Sequence, residues 1–159
     1  MIQTLRFEAI YESCYEQVYR FSLSYTGNPA LAEEVTQEAF ARLLQQKLRE
    51  IRKPVAWLIR VARNLAADAL RDRPVEGTLE VKHSADTPEA RLVQQGLRRD
   101  IVRAVAGLSR HQRDCITLRE YGGLSYAEIG QTLDLSLNEV RVHLYRARRN
   151  LQKSLKDWL

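Results

Sequence analysis

The stretch Ser125–Leu155 reads SYAEIGQTLDLSLNEVRVHLYRARRNLQKSL and carries two Ser-x-x-Glu signatures, Ser125 to Glu128 and Ser136 to Glu139. In such a capping box each side chain satisfies a backbone N–H that a helix start leaves unpaired. After the first box, Tyr126, Ile129 and Leu133 keep helical spacing. After the second, Val140, Leu144, Ala147, Leu151 and Leu155 recur at three- or four-residue steps. Each set forms an apolar stripe that has to be buried against something. Only Asp134 and Leu135 separate the two segments. Aspartate tolerates the left-handed conformation of a sharp helix exit, though less readily than glycine. Two capped helices on so short a turn cannot run alongside each other. They have to cross steeply, as in a helix-turn-helix, whose second helix enters the DNA major groove.

The far face of that second helix fits such a role. It presents Asn138, Val142, Tyr145, Arg146 and Arg149, flanked by Arg141 and Arg148. A solvated basic face would explain the charge alone, but the capped helix before it turns the reading toward DNA. The first turns, which reach base edges in this motif, carry Asn138, Arg141, Val142, Tyr145 and Arg146.

Charge is distributed accordingly. The 159 residues carry a net +5. Residues 97–159 hold twelve Lys/Arg against seven Asp/Glu, a net +5. Residues 1–71 hold ten against eight, and residues 72–96 three against five. The positive excess therefore lies with the helix-turn-helix, as binding to a polyanion requires. Cys14 and Cys115 are far apart among apolar neighbours, which suits two buried thiols in a reducing compartment rather than a disulfide or a metal site. The N-terminus has no signal-like apolar region, and no apolar run is long enough to span a membrane. The expected location is the cytoplasm, with no membrane insertion.

Read in order, the chain starts with Phe7, Tyr11, Cys14, Val18, Phe21 and Tyr25, one aromatic-rich helical stripe ending at Gly27. Asn28-Pro29 caps and opens a second helix. Its apolar side is Ala32, Val35, Ala39, Phe40, Leu43 and Leu44, and its other side carries Glu33, Glu34, Gln37, Glu38 and Arg42. Acidic groups near a helix start are favourable against the macrodipole without any partner; a docking face for a basic partner is the functional alternative. Lys53-Pro54 opens a third helix with Val55, Leu58, Ala62, Leu65 and Ala69 toward the core. Another side of it carries Trp57, Arg60, Asn64, Asp68 and Arg71, residue types suited to exposed bases and phosphates. From Asp72 to Glu89 helical periodicity is lost, which predicts a linker. Thr87-Pro88 starts a fourth helix, and Ser109 to Gln112 is a third capping box that starts a fifth, stopped by Gly122-Gly123. The expected fold is all-α: two small helical domains, residues 1–72 and 89–159, joined by a flexible linker over 73–88.

At this point the residues resemble a known family. The chain is similar to bacterial RNA polymerase sigma factors of the extracytoplasmic-function (ECF) group. AEEVTQEAF, Ala32 to Phe40, is similar to the family's core-polymerase-binding helix, and PVAWLIRVARNLAADALR, Pro54 to Arg71, to its −10 recognition region. Leu108 to Leu151 is similar to its −35 binding domain. Two positions depart from the family pattern: Ala30 stands where an acidic residue is common, and Asp134 where glycine is common in the turn.

The resemblance implies a division of labour. Glu33, Glu34, Gln37 and Glu38 would dock on core RNA polymerase. Trp57, Arg60, Arg63, Asn64, Asp68 and Arg71 would hold the opened −10 strand of promoter DNA. Asn138, Arg141, Val142, His143, Tyr145, Arg146 and Arg149 would meet the −35 element. The linker would thread the polymerase or act as a tether. An anti-sigma factor would cover the chain until a signal arrives. The alternative is a stand-alone helix-turn-helix regulator with an N-terminal sensor or dimerisation domain. An enzyme is not expected: there is no Gly-rich phosphate loop or metal-ligand cluster, and His83, His111 and His143 have no nucleophile or ligand partner at a telling spacing. No catalytic residue, metal, cofactor or small-molecule substrate is expected.

Overall fold

A computed structural model describes residues 2–72 and 88–159, and these form seven α-helices and two short 3-10 turns with no strand among them. Helices α1 (Ile2–Thr26), α2 (Pro29–Leu44) and α3 (Pro54–Asp72) pack on one another as a first set. Helices α4 (Pro88–Ala106), α5 (Arg110–Glu120), α6 (Tyr126–Leu133) and α7 (Leu137–Ser154) form the second. Most of the expected linker, residues 73–87, lies outside the described residues.

The helix starts follow from local chemistry. Asn28 Oδ1 accepts from the Leu31 N–H at 3.2 Å, and Pro29 needs no partner at the first position. The preceding Gly27 takes φ 66°, a conformation open to glycine. At α6 the capping box is complete: Ser125 Oγ accepts from the Glu128 N–H at 3.1 Å, and Glu128 Oε1 accepts from the Ser125 N–H at 3.0 Å. The other two boxes form only their first half. Ser136 Oγ accepts from the Glu139 N–H, but the Glu139 carboxylate takes the Ser136 hydroxyl instead of the backbone. Ser109 Oγ accepts from the Gln112 N–H, while the Gln112 side chain turns to α7 and accepts from Asn150 at 3.1 Å. A tertiary bond has displaced the local one.

The turn between α6 and α7 is the tight one the sequence predicts. Asp134 adopts φ 56°, ψ 51°, and its N–H reaches the Gly130 carbonyl. Leu135 N–H bonds the same oxygen at 2.9 Å. Gly130 has no room for a side chain there: a Cβ would stand 2.7 Å from the Leu135 carbonyl oxygen.

One apolar core runs through both sets. Cys14, Val18 and Phe21 of α1, Leu43 of α2 and Leu58 of α3 are continuous with Leu118, Leu124, Ile129 and Leu144 of the second set. Burying each large side chain contributes on the order of 1.5–3 kcal/mol. The inner face of α3 is wider than its own periodicity suggests. Ile59, Ala66 and Ala67 are buried with Leu58 and Ala62, whereas Val55, Leu65 and Ala69 are only partly covered. Helix α3 packs on both α1 and α2, and Ile59 also lies against Gly122 of the second set, burial that its single-helix pattern could not encode. Trp158, just beyond α7, donates to Asp100 Oδ2 at 2.7 Å and rests on Gly96, which ties the chain end to α4.

Candidate nucleic-acid and polymerase interfaces

Three faces carry the residues singled out from the sequence. On α2, Glu33, Glu34, Gln37 and Glu38 are all exposed. Their i,i+4 spacing aligns them: Gln37 donates to Glu33 at 3.3 Å, and Arg42 pairs with Glu38 at 3.3 Å. The buried residues between them, Val35, Thr36, Ala39 and Phe40, fix the helix against α1 and α3. The result is a rigid, solvent-facing acidic surface.

On α7, Asn138, Arg141, Val142, Tyr145, Arg146 and Arg149 are exposed together, while Val140, Leu144 and Ala147 are buried on the opposite side. Val142 is 43% and Tyr145 63% exposed, so two sizeable apolar surfaces stand in water beside the arginines. The Arg149 guanidinium donates to the Tyr145 hydroxyl at 3.4 Å, one turn away. His143 lies apart from this face. It is half-buried, and its ring meets His111 of α5 edge to face at 5.0 Å between centroids. Burial first, then the charges of His111 and Arg146, hold its pKa below the ordinary value. Arg148 also turns away, pairing with Glu120 of α5 at 3.3 Å. Arg148 and its hydrogen bond are the first cause that draws the Tyr126 hydroxyl below its usual pKa.

On α3 the six residues divide. Asn64, Asp68 and Arg71 are exposed, with Arg71 paired to Asp68. Trp57 and Arg60 are half-buried, Trp57 against the core and Arg60 donating to Gln131 of α6 at 3.4 Å. Arg63 is the most enclosed, its side chain 12% exposed. It donates to Asp114 Oδ2 of α5 at 2.6 Å. The other Asp114 oxygen accepts from the Tyr25 hydroxyl of α1 at 2.5 Å, and Asp114 is fully buried. Arg113 stacks on the Tyr25 ring at 4.8 Å. Burial, then the charge and hydrogen bond of Asp114, push the Tyr25 hydroxyl up to about 12. Burial alone would lower the Arg63 pKa, but the hydrogen bond and charge of Asp114 outweigh it and raise it. Burial and Asp114 also push the Cys115 thiol up to about 12, so it is an unreactive core thiol.

Sequence reasoning did not find Asp114, and took Tyr25 as plain core. A signal was present: Asp114 is one helical turn before Leu118 and two before Tyr121, so a carboxylate sits on the apolar stripe of α5. Among the described residues no group of three or more His, Cys, Asp or Glu could hold a metal ion, and no helix is long and apolar enough to cross a membrane.

These features define an all-α helix-turn-helix protein with an exposed acidic helix and a cationic recognition helix. Comparison with known proteins specifies it further. The family model for sigma-70 region 2 matches residues 10–74, and that for sigma-70 region 4 matches residues 98–151. The chain is 31% identical over 156 residues to the ECF RNA polymerase sigma factor SigL of Mycobacterium tuberculosis H37Rv, covering 94% of this chain and 88% of that one. It is 31% identical over 160 residues to the ECF RNA polymerase sigma factor BldN of Streptomyces coelicolor, covering 95% of this chain and 61% of that longer protein. Its fold matches the sigma factor RpoE of Bartonella quintana, solved in complex with the anti-sigma factor NepR, at a TM-score of 0.75 and 20% identity over 95% of this chain and 97% of that one. The chain belongs to the ECF family of RNA polymerase sigma factors.

Proposed function

We propose that this protein docks on core RNA polymerase through Glu33, Glu34, Gln37 and Glu38 and directs promoter-specific initiation. In this reading Trp57, Arg60, Arg63, Asn64, Asp68 and Arg71 hold the opened −10 strand. Asn138, Arg141, Val142, Tyr145, Arg146 and Arg149 meet the −35 element, and His143 supports them from the α5 side. The domain division is residues 1–72 and 89–159, with a linker over 73–88. The protein acts in the cytoplasm, has no catalytic activity or cofactor of its own, and is held inactive by an anti-sigma factor. The observation that carries the reading is the pairing of sigma-70 regions 2 and 4 in one chain with a cationic, solvent-facing α7.

The test is reconstitution. The full chain and core polymerase should co-elute on size exclusion, and the complex should start transcripts from a promoter that core alone ignores. Failure to co-elute, together with sequence-specific duplex binding by the chain alone, would establish the stand-alone regulator instead.

A further inference from the structure

Phe7, Tyr11, Tyr15 and Tyr19 follow one another on α1 at four-residue steps, outside the three faces assigned to polymerase and DNA. Their rings form one ladder. Successive centroids lie 6.0, 5.1 and 6.4 Å apart, and the Tyr15 and Tyr19 rings are parallel within 3°. Buried Phe40 of α2 lies beneath, 6.3, 4.9 and 5.9 Å from the rings of Phe7, Tyr11 and Tyr15. Cys14, Val18 and Phe21, further round α1, are the residues that enter the core. The ladder stays at the surface: Tyr11 is 40% exposed, and Tyr15 and Tyr19 are half-buried. Among the described residues nothing hydrogen-bonds the hydroxyls of these three tyrosines.

Carboxylates flank the rings on both sides. The turn at Gly27 folds α2 back along α1 and sets Glu33 beside the ladder. Burial comes first in raising the Tyr19 hydroxyl above its ordinary pKa, and the Glu33 charge comes next. At Tyr15 burial again leads, followed by the charges of Tyr11, Glu33 and Tyr19. Glu12 and Glu16 are exposed on the other side, one position beyond Tyr11 and Tyr15 and so about 100° further round the helix. Glu16 pairs with Arg20. Glu12 and Glu33 have no basic partner among the described residues.

An aromatic strip between carboxylates fits one kind of side chain. A ring face is electron-rich and attracts a cation. Lysine would satisfy the carboxylates, but a guanidinium is planar and more weakly hydrated, so it stacks on a ring and still turns N–H donors to a carboxylate. The chain uses this combination internally. Arg113 lies 4.8 Å over the Tyr25 ring, whose hydroxyl donates to Asp114, and Arg119 lies 5.1 Å over Tyr126. The spacing fixes the form of the partner. Helical side chains four apart are separated by about 6 Å along the axis, which is the step of the ladder. A helix with arginines at i and i+4 would set them on neighbouring rings. Glu33 also belongs to the acidic α2 face, so the strip continues the surface assigned to core polymerase.

We propose that the Tyr11–Tyr15–Tyr19 ladder is the aromatic half of the polymerase-docking surface, taking an arginine-bearing helix of core polymerase whose guanidinium groups stack on Tyr15 and Tyr19 and pair with Glu33. The proposal rests on the docking role given to α2 under Proposed function.

The experiment uses the full chain and core polymerase. Fluorescence titration reads the affinity of the parent, Tyr15→Leu, Tyr19→Leu, Tyr15→Phe, Glu33→Gln, and Tyr15→Leu combined with Glu33→Gln; circular dichroism checks each fold. Tyr15→Leu and Tyr19→Leu should each weaken binding by about threefold to thirtyfold, the loss of one stacked guanidinium. Tyr15→Phe keeps the ring and should stay within about twofold of the parent. The combined variant should lose less than the product of its two single losses, because both groups hold the same guanidinium. Hydroxyl-radical footprinting of the parent needs no substitution and decides the matter if a leucine variant unfolds: core polymerase should protect Tyr11, Tyr15 and Tyr19. Folded leucine variants with parent affinity, or unprotected tyrosines in a complex that forms, would overturn the role of the ladder and leave α2 docking standing. A parent dimer in small-angle scattering that Tyr15→Leu dissolves would give the strip to a second copy and overturn it too. A parent chain that does not bind core polymerase at all would sink the α2 assignment, and the ladder's role with it.

Discussion

Gly122 lies so close to Ile59 that a Cβ built on it would stand 2.8 Å from Ile59 Cγ2 and 2.7 Å from the Leu118 carbonyl oxygen. The first neighbour belongs to α3 and the second to the end of α5, so a single missing side chain lets the two helical sets meet. Gly122→Ala has to shift backbone as well as a side chain. Overpacking of this kind costs about 1–3 kcal/mol, which for this chain length lowers Tm by about 3–10 °C. Gly107→Ala is the control, because its Cβ would meet nothing closer than 3.5 Å; it should stay within about 0.5 kcal/mol. Thermal melts of both variants by circular dichroism make the comparison.

The same contact marks where sequence reading stops. The seven helices, the Asn28, Ser109, Ser125 and Ser136 caps and the left-handed Asp134 were all legible, because each depends on neighbours within four or five residues. The exposed faces of α2 and α7 were legible for a similar reason: a 3.6-residue period separates inside from outside when only one side is covered. Helix α3 is covered on two sides, and its period described only one of them. Nothing local marks Ile59 as meeting Gly122, or Arg63 as meeting Asp114 fifty-one positions away. Gly122-Gly123 read as a helix stop, which it is, since Gly123 takes φ 68°. That Gly122 is also a packing residue is a tertiary fact.

Asp134 is the one non-glycine residue with positive φ among the described residues. A left-handed side-chain-bearing residue is strained by about 1 kcal/mol relative to glycine, offset in part by the greater freedom of glycine in the unfolded chain. Asp134→Gly should leave the α6–α7 crossing intact and raise stability by about 0.5 kcal/mol. Asp134→Val, β-branched at the same φ, should lower it by more than about 1 kcal/mol. Denaturant titration of the two variants checks the sign, and a stabilised valine variant would refute the account of the turn.

His143 sets a pH dependence on the second helical set. Its Nδ1 is buried without a hydrogen-bond partner. Burial, followed by the charges of His111 and Arg146, keeps its pKa in the fold below the ordinary 6.5, with Glu139 acting the other way. As pH falls, the unfolded chain takes up this proton first, so stability declines as pH drops below about 6.5 and levels off beneath the folded-state pKa. Tm should therefore fall between pH 7.5 and 5.5. His143→Gln should flatten that part of the profile, and an equally steep profile in the variant would assign the dependence to another group.

The last prediction concerns base reading by α7. Arg141 and Arg146 are exposed within the first three turns of the helix, on the side away from buried Val140 and Leu144. An arginine fork can bond guanine O6 and N7 together, and a good pair of this kind discriminates by about 1–3 kcal/mol. Val142, 43% exposed on the same face as Tyr145, suits a thymine methyl. Lys153 is also exposed but lies near the helix end, beside Arg103 and Asn150, and fits a phosphate. Arg141→Ala and Arg146→Ala should each lower transcription from the cognate promoter and relax preference at one −35 position. Lys153→Ala should weaken binding evenly across sequences and reduce its salt dependence. All three should keep full affinity for core polymerase, because the acidic α2 face is untouched. The measurement is in vitro transcription by each variant holoenzyme on a panel of −35 point variants. A uniform loss across that panel for Arg141→Ala and Arg146→Ala would mean that both arginines grip the backbone, and base reading would then pass to Asn138, Val142 and Tyr145.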